Sequence, residues 1–345
     1  MEKKKPNIFE IATSELSQDA FITWLLRWGD PACKQLNLEL HNAAVKFAKS
    51  LISLDHKNLK SNFEVSSISA NRQKDNIDVW SVVNKKYLII IENKTFTSAH
   101  SNQLKRYLEK VKNWKEVKEL KCKVVAVYLK TGNESQRSLN FVKNDGFNVY
   151  SRTEFLKVLN SNEVNNDIYN DFKDRLNRLE EKNNEWKDKI INDWNGNDWQ
   201  GFYQYLESEI NIKNWHFVNN ASGGFWNAIL TWDKWDIYPF YLQIEAGNLC
   251  FKISTDPREP VVMPKGETRS GIRNKAYKLL KSEAAKQNIK NIIRPKRFGN
   301  GKYMTVSLVK QADWMGNLDD VINLEQVVEN LKRYKVFLKS ITDAH

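Results

Sequence analysis

The sequence predicts a mixed α/β fold in its first half and a separate α+β region in its second half. Two strand-like runs, 76–83 and 87–92, are rich in Val, Ile, Tyr and Trp and stand three residues apart, as in a β-hairpin. Apolar residues at helical spacing flank this hairpin and supply the helices. Beyond residue 180 the composition changes, because eight of the twelve tryptophans lie there. A chain of 345 residues also exceeds the usual size of one domain.

The elements of the first half follow from their apolar patterns. A helix over 16–28 presents an apolar stripe and ends at Asp30-Pro31. The run at 123–129 is apolar almost throughout, as in a strand whose sheet is covered on both faces. The other predicted elements are a helix at 34–53, strands at 62–69, 76–83, 87–92 and 147–150, and helices at 99–114 and from Thr153.

Three charged residues of the hairpin gather on one strand face. If the loop pairs Val83 with Tyr87, the same register sets Asp78 opposite Glu92. Directly opposed residues have Cβ atoms about 5 Å apart. Lys94 shares the face of Glu92, because side chains alternate along a strand. The sequence therefore predicts two carboxylates and an ammonium group in one site.

This trio suits metal-assisted hydrolysis of a phosphodiester bond. Two carboxylates this close repel each other and are costly to desolvate, so a divalent cation is their natural partner. Mg²⁺ needs only one or two carboxylates beside water and substrate phosphate. A lysine can act on the attacking water or offset negative charge on the phosphate. The chain contains six Glu-x-Lys triplets, but only the one at Glu92 ends an apolar strand run. The alternative is a strand-end salt bridge with Asp78 at the rim of the sheet.

Four motifs in chain order resemble those of the PD-(D/E)XK nuclease superfamily. They are Glu15 opening a helix in TSELSQDAFITWLL, Asp78 in NIDVW, Glu92-Asn93-Lys94 after the apolar strand, and Gln103 with Tyr107 in HSNQLKRYLEK. The resemblance covers about residues 7–160. The chain is similar in particular to a bacterial subgroup of nuclease-like proteins that begin with a WLL helix. It departs from the pattern at Ile77, where the motif name has proline, and at Asn93, where an apolar residue is frequent.

The resemblance implies a fold and a set of roles. The fold is a restriction-endonuclease-like αβββαβ core with a mixed central sheet. Asp78 and Glu92 are expected to bind Mg²⁺ or Mn²⁺, and Lys94 to act on the attacking water. The carbonyl group of Asn93 and the carboxylate of Glu15 are expected to be further ligands.

Other motif residues also have structural interpretations. Glu15 precedes the apolar stripe of its helix, where a carboxylate is favourable at the helix N-terminus without any metal. Gln103, catalytic by the resemblance, and Tyr107 stand four residues apart beside an apolar helix stripe, and an ordinary partly buried tyrosine is the favoured reading of Tyr107. His100 lies less than one helical turn before Gln103, where a capping or surface role is favoured over a place in the site.

A polar stretch divides the two halves of the chain. Residues 163–193 are dominated by Asn, Asp, Glu, Lys and Arg, and they lack the Gly, Pro and Ser runs of a flexible linker. We therefore expect a nuclease-like domain at 1–162, a connecting helix at 163–193 and a tryptophan-rich α+β domain at 194–345. The strands predicted in the last domain are 215–219, 225–232, 238–245, 249–254 and 303–310, and a final helix is predicted at 318–340.

The C-terminal region also carries the strongest cluster of positive charge. Residues 254–302 hold thirteen Lys or Arg against four Asp or Glu, a net +9 within a chain of net charge +12. Such a stretch can follow a phosphate backbone, while a solvated helix face is the alternative. The candidate nucleic-acid-binding residues are Arg269, Arg273, Lys278 and Arg297. Trp226, Trp232 and Trp235 offer a stacking platform for bases, although core packing is the favoured role of each.

Composition excludes several other classes. The three cysteines are odd in number and far apart, which fits neither a disulfide framework nor a zinc cluster and favours a reducing compartment. No run of about 18 apolar residues occurs, and the first residues lack the apolar core of a secretory signal. We therefore expect a cytoplasmic protein without a membrane partner.

The favoured function is a Mg²⁺- or Mn²⁺-dependent nuclease acting on DNA, with a C-terminal domain that binds substrate or a partner. One alternative is a nucleic-acid-binding module of the same fold that hydrolyses nothing, although the intact charged trio argues against it. Another is an interaction subunit of a multi-protein system, such as anti-phage defence, whose C-terminal domain binds a protein.

Overall fold

The chain forms two compact units. The computed structural model describes residues 5–59, 62–99, 102–161, 163–220, 223–259 and 261–344. The units are Met1–Glu181 and Lys182–His345, and each has its own sheet and hydrophobic core.

The first unit has a sheet flanked by helices. Its helices are α1 (Ile8–Ile11), α2 (Glu15–Trp28), α3 (Leu38–Ile52), α4 (Gln103–Val111), α5 (Lys115–Lys118), α6 (Gln136–Asn144), α7 (Arg152–Leu159) and the first part of α8 (Asp167–Asn184). Its strands are β1 (Ile68–Lys74), β2 (Ile77–Val83), β3 (Tyr87–Lys94), β4 (Lys123–Lys130) and β5 (Asn148–Ser151). The strand order is β1-β2-β3-β4-β5. The first three strands are antiparallel, while β4 runs parallel to β3 and β5 runs parallel to β4.

This mixed five-stranded sheet confirms the predicted mixed α/β class. Its equivalence to the αβββαβ core of the superfamily stays a prediction. The hairpin has the predicted register, because Val83 pairs with Tyr87 and Val79 pairs with Ile91. The turn between the strands uses a left-handed backbone at Asn84, whose φ is 55°.

The two faces of the sheet pack against different helices. Ile89 and Ile91 of β3 belong to the core formed with α2, α3 and α7. Leu88 and Ile90 belong to a second core with Leu104 of α4. Because side chains alternate, Glu92 and Lys94 follow the second set and lie on the α4 face.

The second unit contains an antiparallel sheet, as an α+β region requires. Its strands are β6 (Asn214–Val218), β7 (Phe225–Ile229), β8 (Asp233–Trp235), β9 (Tyr238–Glu245), β10 (Asn248–Ser254) and β11 (Tyr303–Val309). Its helices are α9 (Gly196–Ile210), α10 (Arg269–Lys286), α11 (Gln311–Met315) and α12 (Leu324–Ala344). The sheet order is β11-β10-β9-β7-β6, and β8 pairs with β9.

Several elements differ from the sequence-based expectation. The second helix begins at Leu38, because a short 3₁₀ turn at Pro31–Cys33 precedes it. The first strand begins at Ile68 instead of 62, and the strand predicted at 225–232 ends at Ile229. Helices α6 and α9 were not predicted. α6 is short and polar with one buried residue, and α9 is rich in Trp, Phe and Tyr, residues that favour strands.

The connecting helix predicted at 163–193 is divided between the two cores. In α8, Tyr169 and Phe172 are buried with the first unit. The helix ends at Asn184, and Trp186 and Ile191 are buried with the second unit.

The tryptophans proposed as a stacking platform have aromatic partners within the protein. Trp226 lies 5.7 Å from Trp215 between ring centroids, and Trp232 stacks on Tyr241 at 4.4 Å. Within the described residues, no helix is both long enough and apolar enough to cross a membrane.

Candidate active site

The charged residues of the hairpin meet at the end of β3, on the α4 face. Glu92 is 1% exposed, and its Oε1 atom lies 2.6 Å from Nζ of Lys94. Gln103 donates a hydrogen bond from Nε2 to the same Glu92 oxygen over 2.8 Å. Gln103 Nε2 also donates to the hydroxyl oxygen of Tyr107 over 2.7 Å. The structure thus brings these motif residues together, while His100 lies outside the described residues.

Asp78 joins this group from β2. Its Oδ2 atom accepts the backbone N–H of Asn93 over 2.9 Å. The ladder pairs Val79 with Ile91, and its continuation sets Asp78 opposite Glu92. Burial is the main cause that raises the pKa of Asp78, although the Asn93 N–H favours the charged form. Asp78 and Glu92 are therefore neighbouring carboxyl groups, of which Glu92 is buried and Asp78 is half-buried.

The carboxylate of Glu92 has the features of a cation ligand. Its second oxygen, Oε2, is buried, and no described group donates a hydrogen bond to it. Burial and then the charge of Asp78 raise the pKa of Glu92 to about 8, against the opposing effect of Lys94. A divalent cation would offset both the repulsion between the carboxylates and the cost of their burial. Carboxylate oxygens are hard ligands that suit Mg²⁺ or Mn²⁺, so the residues present fit the implied metal.

The site offers two carboxylates. Among the residues that the structure describes, no group of three or more His, Cys, Asp or Glu side chains is arranged to hold a metal ion. Two carboxylates are sufficient for a cation that keeps several of its waters.

Glu15 borders this pair. Its Oε1 atom accepts hydrogen bonds from the backbone N–H of Thr95 over 2.8 Å and from the hydroxyl of Thr97 over 3.1 Å. Its Oε2 atom lies 4.0 Å from Nζ of Lys94. Glu15 therefore fixes the chain that leaves β3 and faces the lysine, and its role as a metal ligand stays a prediction.

Lys94 is held in its charged form. Burial opposes the charge, but the hydrogen bond to Glu92 and the charges of Glu92, Asp78 and Glu15 outweigh burial and raise the pKa of Lys94. The side chain is therefore an ammonium group at neutral pH. This favours orientation of water and compensation of negative charge over removal of a proton from water.

Two buried polar residues of α2, Gln18 and Asp19, were not predicted. Asn93 Nδ2 donates to Oδ1 of Asp19 over 2.7 Å, and Gln18 donates to Oδ1 of Asn93. The sequence contains a signal for them, since Asp19 follows Glu15 by four residues and so shares its helix face. Asn93, which is polar where the superfamily frequently has an apolar residue, thus has hydrogen-bond partners in α2 that satisfy its buried amide group.

Asp19 also responds to the charge of the site. Burial and then the charge of Asp78 raise the pKa of Asp19 to about 7, while the hydrogen bond from Asn93 lowers it. A third carboxyl group therefore contributes to the repulsion that a cation would relieve.

Lys130 is a buried lysine that lies beside Lys94. In the parallel ladder of β3 and β4, Lys94 pairs with Lys130. Nζ of Lys130 donates to the carbonyl of Thr97 over 2.6 Å and lies 3.2 Å from Glu134, which accepts a hydrogen bond from Tyr128 over 2.8 Å. Burial is the main influence on Lys130 and lowers its pKa, while Glu134 opposes this shift. This cluster holds residues 95–99, which we call the site loop.

Gly132 allows a close approach to the same loop. A Cβ atom at this position would lie 1.8 Å from the carbonyl oxygen of Thr95. The hydroxyl groups of Thr95 and Thr131 are hydrogen bonded over 3.0 Å. The site loop is therefore anchored against the end of β4.

The four basic residues predicted to bind nucleic acid differ in exposure. Lys278 and Arg297 are exposed and Arg269 is half-buried. Arg273 is only 3% exposed, lies 3.5 Å from the ring centroid of Phe298 and donates to the Phe298 carbonyl. The burial of Arg273 against the loop of Phe298 corrects its assignment as an accessible phosphate contact. Binding by the other three residues stays a prediction.

The mixed sheet thus brings Asp78 of β2 together with Glu92 and Lys94 of β3, and Gln103 of α4 contacts the same group. A family model of the PD-(D/E)XK nuclease superfamily matches residues 6–204, more than half of the chain. The chain belongs to this superfamily, whose members are generally nucleases that use divalent metals. No curated protein and no solved structure matches the chain.

Proposed function

We propose that this protein is a nuclease that hydrolyses phosphodiester bonds of DNA and depends on Mg²⁺ or Mn²⁺. The observation that carries the proposal is the buried carboxyl group of Glu92 next to the half-buried Asp78 and beside Lys94, with Oε2 of Glu92 lacking a described donor. Membership of a superfamily of nucleases supports it. The net charge of +12 suits a polyanionic substrate.

The roles of the side chains follow from their charges. Asp78 and Glu92 would hold the cation, which when bound stabilises negative charge on the phosphate and promotes ionisation of water. Lys94 donates to the attacking water or to a phosphate oxygen, and its positive charge offsets the charge that develops in the transition state. Gln103 holds the Glu92 carboxylate in orientation through the hydrogen bond between them.

Glu15 and the carbonyl group of Asn93 are the proposed further ligands. Glu15 borders the site through Lys94, and the N–H of Asn93 is bonded to Asp78. The C-terminal unit is proposed to bind the DNA backbone, with Arg269, Lys278 and Arg297 as phosphate contacts.

Isosteric replacements of the trio test the hydrolytic function. Purified protein is incubated with plasmid, linear DNA and RNA in Mg²⁺, Mn²⁺ or EDTA. Glu92→Gln, Asp78→Asn and Lys94→Met should each lower cleavage by at least about 100-fold, the loss typical of one group that stabilises transition-state charge. EDTA should abolish cleavage by the wild type.

A control separates loss of chemistry from loss of fold. Glu180 is paired with Arg152 over 2.7 Å in the same unit, so Glu180→Gln removes a carboxylate that lies outside the proposed chemistry. This variant should cleave like the wild type. Calorimetric titration with Mn²⁺ should detect binding to wild type and Lys94→Met but not to Glu92→Gln. Undiminished cleavage by Glu92→Gln contradicts the proposal.

A further inference from the structure

Phe96 is an exposed aromatic residue two positions after Lys94. Its side chain is 75% exposed, whereas the preceding Thr95 is 1% exposed. Two residues of extended chain span at most about 7 Å, so the Cα atom of Phe96 lies within that distance of the Cα atom of Lys94. A large apolar ring therefore stands in water at the border of the proposed catalytic site.

The backbone on both sides of Phe96 is fixed. The N–H of Thr95 donates to Glu15 over 2.8 Å. The carbonyl of Thr97 accepts a hydrogen bond from the buried Lys130 over 2.6 Å. The ring of Phe96 is thus carried by an anchored part of the site loop, which limits the entropy lost when the ring binds a partner.

Phe96 lies between two residues that contact Glu15 at the border of the site. The N–H of Thr95 and the hydroxyl of Thr97 both donate to Oε1 of Glu15, and the other oxygen of this carboxylate lies 4.0 Å from Nζ of Lys94. Residues 95–97 form a bend directly after β3. The exposed ring of Phe96 is therefore carried by a bend that is bonded to a residue at the border of the proposed catalytic site.

We infer that the ring of Phe96 stacks on the nucleobase next to the scissile phosphate, and that the substrate is therefore DNA with unpaired bases. The inference rests on the proposed nuclease function. A base within a duplex is paired and stacked on both faces, whereas a single strand offers a free face to an aromatic side chain. Every base has such a face, so this contact selects for an unpaired strand without selecting a sequence.

Binding is tested in a background that does not cleave. The Lys94→Met protein, with and without Phe96→Leu, is titrated with a single-stranded oligonucleotide containing 2-aminopurine and with its duplex. Loss of stacking should weaken single-strand binding by about 5- to 150-fold, which corresponds to the usual contribution of one stacked base. Duplex binding should be unchanged, and the fluorescence change of 2-aminopurine on binding should disappear. Phe96→Trp should retain both.

Phe141 provides a matched control, since it is a 60% exposed phenylalanine of α6 in the same unit. Phe141→Leu should bind like its parent. The inference is overturned if the Phe96→Leu protein and its parent bind the single strand equally well. It is also overturned if Phe141→Leu weakens single-strand binding as much as Phe96→Leu does, or if the parent does not bind a single strand.

Cleavage assays separate this inference from the proposed hydrolysis. If the wild type cleaves DNA and Phe96→Leu neither slows cleavage nor weakens single-strand binding, the proposed nuclease function is supported and base stacking by Phe96 is refuted. Binding that depends on Phe96, in a protein whose wild type cleaves no DNA, supports base stacking and refutes hydrolysis.

Discussion

Replacing Glu92 by glutamine should remove a pH-dependent instability of the metal-free protein. The pKa of Glu92 is about 8 in the folded protein and 4.5 as its ordinary value, so the folded state binds this proton more tightly than the unfolded state. A carboxyl group of this kind contributes stability below its unfolded pKa and loses it as pH rises through its folded pKa. At about 1.4 kcal/mol per pH unit, the wild type should lose on the order of 5 kcal/mol relative to Glu92→Gln between pH 4.5 and pH 8.

Urea unfolding in EDTA across this pH range measures the difference. Asp78→Asn should lessen the pH response without abolishing it, because burial of Glu92 is the larger cause and the charge of Asp78 the second. At pH 8, Mg²⁺ at 100 times its dissociation constant should stabilise the wild type by about 2.7 kcal/mol and leave Glu92→Gln unchanged. Parallel pH curves for wild type and Glu92→Gln would show that Glu92 does not titrate as a buried neighbour of Asp78.

The remaining predictions concern the border of the site and the C-terminal unit. Glu15→Ala should weaken Mg²⁺ binding in a calorimetric titration, because the negatively charged carboxylate of Glu15 can ligate the cation. Gln103→Ala should slow turnover with little change in metal affinity, because the neutral amide of Gln103 only orients a neighbouring group. If Glu15→Ala binds Mg²⁺ as tightly as the wild type does, Glu15 is not a metal ligand and its role is to hold the site loop. Neutralising Arg269, Lys278 and Arg297 together should reduce the slope of log K against log salt for duplex DNA by about 2.7, or 0.9 per phosphate contact, while Lys332→Gln on α12 leaves it unchanged. An unchanged slope in the triple variant identifies the basic stretch as a solvated surface.

The hairpin and its charged trio were predictable because they depend on residues close in sequence. The turn after Val83 fixes which residues pair, and strict alternation then decides the face on which each side chain lies. This reasoning set Asp78 beside Glu92 and put Lys94 on the same face. The bonded contact between Lys94 and Glu92 was not required by the pattern, but it follows from two opposite charges on one face.

The residues behind the site could not be found in this way. Asp19 and Lys130 reach Asn93 and the site loop from elements far away in sequence, and a polar residue alone does not indicate its partner. Helix α9 was missed because its aromatic residues resemble a strand pattern, although Asn195 and Asp198 form a capping box at its start. Charge counting likewise did not distinguish the buried Arg273 from its exposed neighbours.

The hydrogen bond between Asn93 and Asp19 should couple the evolutionary substitution of two positions that are 74 residues apart in sequence. A leucine in place of Asn93, the kind of residue frequent in the superfamily, would remove the only donor to Asp19 Oδ1 among the described side-chain contacts and leave a buried carboxyl group poorly satisfied. The reverse change at Asp19 would leave the Asn93 amide with a longer hydrogen bond, to the carbonyl of Glu15 over 3.2 Å, in place of the bond to Asp19 over 2.7 Å. Either substitution alone should therefore destabilise the protein, so the residue at one position limits which residues are tolerated at the other. Alignments of close relatives should therefore show the two positions changing together. A transplant of the Glu92-Asn93-Lys94 motif into another protein would for the same reason have to include Asp19 of α2.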